Sequence, residues 1–158
     1  MNMKIILFLS LVILLFSCNK QESKAKMKDK YALSILTNDS IRFWEADPPI
    51  QNSRQGYSFL KDGKCDEFEV DSFRNRTFQR YNDIILRKPF SFTFTNDTLR
   101  LFTSDGFMFN YFRVLKIDKN TLVLQQTDTL KYDGGKTEIY TTTMKYIPAK
   151  DQKTKPRF

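Results

Sequence analysis

Phe90-Ser-Phe92-Thr-Phe94-Thr places a phenylalanine at every second position and a hydroxyl residue between each pair, and no other stretch restricts the fold of this chain so tightly. A side-chain period of two belongs to an extended strand with one face in a core and the other in water. Asn96-Asp97 then supplies a turn into Thr98-Leu-Arg-Leu-Phe102, where Leu99 and Leu101 continue an apolar face. Ser104-Asp105-Gly106 turns into a long strand from Phe107 to Ile117, whose apolar set changes phase at Tyr111 and Phe112 and so predicts a bulge or bend.

The same grammar covers most of the chain. Lys61-Asp62-Gly63-Lys64 joins Tyr57-Ser-Phe59 to a segment ending Phe68-Glu-Val70, and Asp118-Lys119-Asn120 leads to Thr121-Leu-Val-Leu124. Asp133-Gly134-Gly135 opens a last strand, Thr137 to Ile147, rich in threonine, tyrosine and isoleucine. With Ile41 to Ala46 as the first, the count is about eight antiparallel strands. An open sheet of that size would expose hydrogen-bonding edges, so the pattern predicts an all-β, small up-and-down barrel whose first strand meets its last; a two-sheet sandwich is the alternative. Tyr140, Met144 and Tyr146, evenly spaced, are expected on the inner face of the closing strand.

The N-terminus speaks of location. Lys4, an apolar run from Ile5 to Phe16 and Leu15-Phe16-Ser17-Cys18 have the charge, length and flank of a cleaved leader, and the run is shorter than the ~20 residues a spanning helix needs. Leu-Phe-Ser-Cys resembles the lipobox of bacterial lipoproteins. The resemblance implies a signal peptide over residues 1–17 and a mature N-terminus at Cys18 carrying a diacylglyceryl thioether. It also implies delivery to the outer membrane, because Asn19 is not the aspartate that marks inner-membrane retention, while Lys20-Gln21-Glu22 resembles a surface-export tag.

Residues 18–30 are polar and lysine-rich and read as a flexible tether, long enough to hold a domain up to roughly 40 Å from a membrane. Residues 31–149 form one domain, and 150–158 a basic tail. The formal charge of +8 divides unevenly, with +1 from Lys4 in the leader, +3 on residues 20–30, +3 on 150–158 and only +1 on 31–149. A nucleic-acid reader would concentrate charge on a folded face, so that class is set aside.

The body also resembles a known group. Phe43-Trp44-Glu45, Gly56-Tyr57-Ser58-Phe59, Lys61-Asp62-Gly63-Lys64, Asn96-Asp97-Thr98-Leu99 and Lys119-Asn120-Thr121-Leu122-Val123-Leu124 look like successive strand signatures of lipocalin-like domains in small bacterial lipoproteins. Arg42 stands where the Gly-x-Trp opening of typical lipocalins has glycine.

Chemistry is constrained by what the chain lacks. It has no histidine, so Ser-His-Asp and Cys-His machinery and histidine-rich zinc sites are excluded, and no enzyme activity, cofactor or metal is expected. With Cys18 acylated, Cys65 has no intrachain partner and reads as a buried strand residue. Glu67, Glu69 and Asp71 share one strand face and could serve a hard cation or acid–base chemistry; the reading adopted is a solvated face opposite Phe68 and Val70. Asp39-Ser40-Ile41, Asp97-Thr98-Leu99 and Asp128-Thr129-Leu130 resemble O-glycan acceptor sites of some Gram-negative envelope proteins, and equally fit turns running into strands.

The fifteen phenylalanines, seven tyrosines and Trp44 lie closest to function. A small barrel either fills its interior with such side chains or keeps a pocket for an apolar molecule. Trp44, Phe59, Phe92 and Phe94 are the candidate pocket lining, with Phe43 competing with Trp44 for the inside. The expectation is a membrane-anchored module holding a small hydrophobic ligand. The alternative is a filled core acting through loops on an envelope protein, with the contact sought between Asp47 and Gln55.

Overall fold

The computed structural model describes residues 26–50, 53–70, 76–79 (backbone only), 90–103, 105–132, 135 and 137–150. The leader, Cys18, residues 19–25, Asp71 and the tail from 151 lie outside the described residues.

Among the described residues, nine strands follow a helix. They are β1 (Ile41–Ala46), β2 (Arg54–Leu60), β3 (Lys64–Val70), β4 (Arg76–Gln79), β5 (Phe90–Thr95), β6 (Thr98–Phe102), β7 (Met108–Ile117), β8 (Leu122–Lys131) and β9 (Thr137–Pro148). Every pairing is antiparallel. β1 meets both β2 and β9, and a β2–β3 ladder completes the ring, giving a closed up-and-down barrel of lipocalin-like architecture rather than a sandwich. β4 pairs with Glu67–Val70 and β5 with Lys64 and Cys65, both on the edge of β3 opposite β2. The two short strands thus share one rank, and nine strands make an eight-rank wall.

Alternation places the core as expected. Phe90 and Phe92 point inward with Phe59, Leu99, Leu101, Phe112, Leu122 and Leu124, while Ser91 and Thr93 face water. Asn96 and Asp97, both at positive φ, form the two-residue β5–β6 turn. The phase change in β7 comes from two irregularities, one opposite Leu101/Phe102 near Phe109 and one between Val114 and Lys116, rather than from a bend at Tyr111–Phe112. Each slips the register by one residue, so that Phe109, Phe112, Val114 and Ile117 all reach the core despite their mixed spacing.

Residues 26–37 form a helix, α1, which the sequence reading did not anticipate and whose first turn overlaps the span assigned to the tether. Its apolar stripe, Ala32, Ile35 and Leu36, is buried, and Ile35 and Leu36 join the barrel core. Asn38 and Asp39 at positive φ end it, with the Asp39 amide reaching back to the Ser34 carbonyl at 3.3 Å. Two last-turn carbonyls are capped from β1: Trp44 Nε1 donates to Leu36 O at 3.0 Å, and Arg42 donates to Ile35 O at 3.2 Å. The Arg42 guanidinium also lies 4.5 Å from the centre of the Trp44 ring. α1 therefore seals the end of the barrel that carries the β2–β3, β5–β6 and β7–β8 turns.

A second apolar cluster lies outside the wall. Phe43, Phe68 and Val70 pack there with Ala149, whose amide donates to Phe43 O at 2.9 Å and continues the β1–β9 ladder by one rung. Phe43 and Phe68 meet edge to face with ring centres 5.7 Å apart. This settles the competition on β1: Trp44 faces in and Phe43 faces out. Gly56 makes room for the arrangement, since a Cβ there would stand 1.9 Å from Trp44 O and 2.9 Å from the Phe68 ring.

Candidate functional site

The second cluster inverts the expected orientation of β3. Phe68 and Val70 lie on its outer face, and Cys65, Glu67 and Glu69 alternate onto the inner one. Glu67 and Glu69, read with Asp71 as a solvated outer face, therefore turn toward the barrel interior. The reason is that the outside of β1–β3 is itself covered, and alternation alone does not say which of two apolar layers a strand faces.

Opposite the helix-sealed end, the barrel mouth holds a cavity of about 80 Å³, lined by Ile50, Gln55, Gly56, Tyr57, Glu67, Phe68 and Tyr146. Tyr57 and Tyr146 stand with ring centres 5.8 Å apart, and the Tyr57 hydroxyl donates to the Glu67 carboxyl. Burial pushes the Glu67 pKa up, and the Tyr57 hydrogen bond opposes that rise. Burial also raises both tyrosines, reinforced by the nearby Glu67 charge. Glu69, one step nearer the rim, accepts a hydrogen bond from the Ser53 hydroxyl. A carboxyl of raised pKa in a cavity is an arrangement that acid catalysts use. Here it is hydrogen-bonded to Tyr57, in a space that fits only a few water-sized molecules at ~30 Å³ each.

The residues expected to line a pocket sit elsewhere. Trp44, Phe59 and Phe92 are buried in the core, with Phe59 and Phe92 in edge contact at 5.1 Å, and Phe94 packs against that core half-buried. None of the four lines the mouth cavity. Tyr57, Glu67 and Tyr146 do, and the sequence signal that could have found them was the even spacing of Tyr57–Phe59 and Cys65–Glu67 on paired strands. Cys65 is buried, and desolvation raises its thiol pKa, so it is an inert core residue. Among the described residues, no three side chains are grouped to hold a metal.

Apolar surface is bare at the mouth as well as on the outer side of α1, where Met27 and Tyr31 are exposed. β8 and β9 pair over ten residues each, from Leu122↔Tyr146 out to Lys131↔Thr137, but β7 accompanies β8 only from Gln125 inward and β1 accompanies β9 only from Tyr146. The outer half of this hairpin is an arm projecting past the wall. It exposes Leu130, Tyr132, Ile139 and Tyr140; Phe107 and Met108, where β7 begins, are exposed as well. Tyr140, expected inside, is 43% exposed because β9 outlasts the barrel. Its hydroxyl bonds Glu138 and Tyr132, and those contacts push its pKa up to about 12. Of the segment from Asp47 to Gln55, the described residues 47–50 and 53–55 border the same mouth, pinned by the Lys145–Asp47 ion pair and by the Glu45–Arg54 pair.

The chain matches no family model, no curated protein and no solved structure. Among the described residues, no helix is long and apolar enough to cross a membrane.

Proposed function

We propose that this chain is an outer-membrane lipoprotein whose barrel is a non-catalytic interaction module, held to the membrane by acyl chains on Cys18. The observation that carries the module reading is the filled interior. Trp44, Phe59, Phe92, Phe112, Leu99 and Leu124 pack against one another, and the cavity beside them, about 80 Å³, is far below the ~300–1,000 Å³ of typical small-molecule sites. A fatty acid or sterol has no room there without displacing core side chains. That weighs for the filled-core alternative and against a hydrophobic cargo.

The anchor rests on Lys4, the apolar run and Leu-Phe-Ser-Cys18. α1 begins beside the β5–β6 turn, where Asp29 accepts the Asn96 amide at 3.2 Å and Lys28 pairs with Asp97 at 2.7 Å. A tether arriving from Cys18 therefore joins the barrel at its sealed end and leaves the mouth facing away. Two experiments test the reading. Labelled palmitate is expected in the wild-type chain and absent from Cys18→Ala; an unlabelled wild type rejects the anchor. Thermal unfolding with fatty acids and sterols is expected to stay unmoved; a ligand-dependent rise rejects the filled-core module.

A further inference from the structure

The open edge of β9 carries a specific geometry. The Lys145 carbonyl accepts the Asp47 amide on the β1 side, and the β8–β9 register runs unbroken from Tyr146 to Thr137. Backbone N–H and C=O groups alternate sides along a strand, so Thr137, Ile139, Thr141 and Thr143 aim theirs away from β8. Among the described residues, no strand pairs with that side. The segment Thr137–Met144, TEIYTTTM, is rich in β-branched residues and contains no proline, lysine or bulge to blunt the edge, and its one charge, Glu138, is hydrogen-bonded by Tyr132 and Tyr140. What fits such an edge is another extended backbone.

We propose that the β8–β9 arm is a self-association site, in which β9 of one copy pairs antiparallel with β9 of a second about a two-fold axis at Tyr140. The free groups run from Thr137 to Thr143 and are symmetric about that residue. Two copies in this register set Thr137 against Thr143 and Ile139 against Thr141, twice over, with two hydrogen bonds per pair. Charges do not collide: Glu138 falls opposite Thr142, and Lys145 lies beyond the paired window. The Tyr140 side chains meet in a non-hydrogen-bonded pair, where opposite side chains are closest. Ile139, 71% exposed, gains a neighbour on the outer face. The edge calls for a strand whether or not Cys18 is acylated, so the inference stands apart from the anchor.

The test uses the full-length chain in membranes of expressing cells. Tyr140→Cys should give a disulfide-linked dimer on mild oxidation, since directly opposed Cα atoms at ~4.5 Å lie within the ~4.4–6.8 Å that a disulfide spans. Wild type oxidised in parallel controls for Cys18 and Cys65, and Leu115→Cys, exposed on β7, controls for random collision. Adding Thr141→Pro should abolish the dimer. The Thr141 amide faces the open edge, so proline there costs no backbone bond of the hairpin and removes only the 3.4 Å hydroxyl contact with Thr127; Thr141→Val, which loses that contact but keeps the amide, should leave the dimer intact. Sedimentation of the purified chain should show a concentration-dependent dimer that Ile139→Lys weakens about tenfold or more. Cross-linking no stronger than Leu115→Cys, a dimer indifferent to Thr141→Pro, or a monomer at every concentration would overturn the second copy as occupant, the last leaving the edge to a strand of another protein.

Discussion

The two ends of this barrel are made from the same alternating strands, yet one is finished and the other is not. At the sealed end α1 inserts Ile35 and Leu36 into the core, and its last carbonyls are met by Trp44 and Arg42. At the mouth a carboxyl and two tyrosines surround a small cavity, and β8–β9 runs on past its neighbours with both faces in solvent. The difference shows that closure and capping are separate problems. Eight ranks remove the edges of the wall, but only a further element can cover an end, and this chain supplies one within its described residues.

If the sealed end holds the fold together, its variants should cost most. Trp44→Ala, removing a fully buried side chain, should destabilise by about 3–5 kcal/mol in denaturant unfolding, and Leu36→Ala by about 2–5 kcal/mol. A loss below ~1 kcal/mol in both would mean that α1 is only loosely docked. Trp44→Phe keeps most of the packing but strips the donor from Leu36 O, with an expected loss of about 1–3 kcal/mol. Gly56→Ala, on the mouth side of the wall, should cost a comparable ~1–3 kcal/mol, because its Cβ would enter the space of Trp44 O.

The mouth should respond to pH more than to truncation. Burial raises the Glu67 pKa, so the folded state keeps this proton to higher pH than the unfolded chain does. The stabilisation from neutral Glu67 is therefore full below the ordinary glutamate range and declines as pH climbs through the raised value. Glu67→Gln should flatten that decline in melting curves taken at successive pH values; an unchanged slope would show Glu67 to be solvated in the folded state. The smallest effect belongs to the arm. Ile139→Thr should alter monomer stability by no more than ~0.5 kcal/mol, since its side chain is bare. Hydrogen exchange should find the Ile139, Thr141 and Thr143 amides fast in a monomer and slow wherever β9 has a partner.

Strand periodicity was legible where one face meets water and the other meets a core, as in β5, β6 and the hairpin of Asn96-Asp97. It misled in β3, where Phe68 and Val70 belong to a second layer outside the wall. No single-strand pattern distinguishes that layer from the interior. The lysines at 26, 28 and 30 hid α1, although Ala32, Leu33, Ile35 and Leu36 carry a helical stripe just beyond them. Tyr140 follows the spacing of Tyr146 faithfully but stands on a part of β9 that has left the barrel, because spacing sets a direction and not a depth. The mouth cavity was unreadable for the same reason: Tyr57, Glu67 and Tyr146 come from three ranks whose register only the closed ring defines.

Trp44 is the only tryptophan in the chain, and it lies beneath α1 with its indole N–H held by the helix. Its emission is consequently a built-in gauge of whether the cap is seated. A red shift at constant far-ultraviolet signal would register the lid lifting while the staves stay joined, without any label attached.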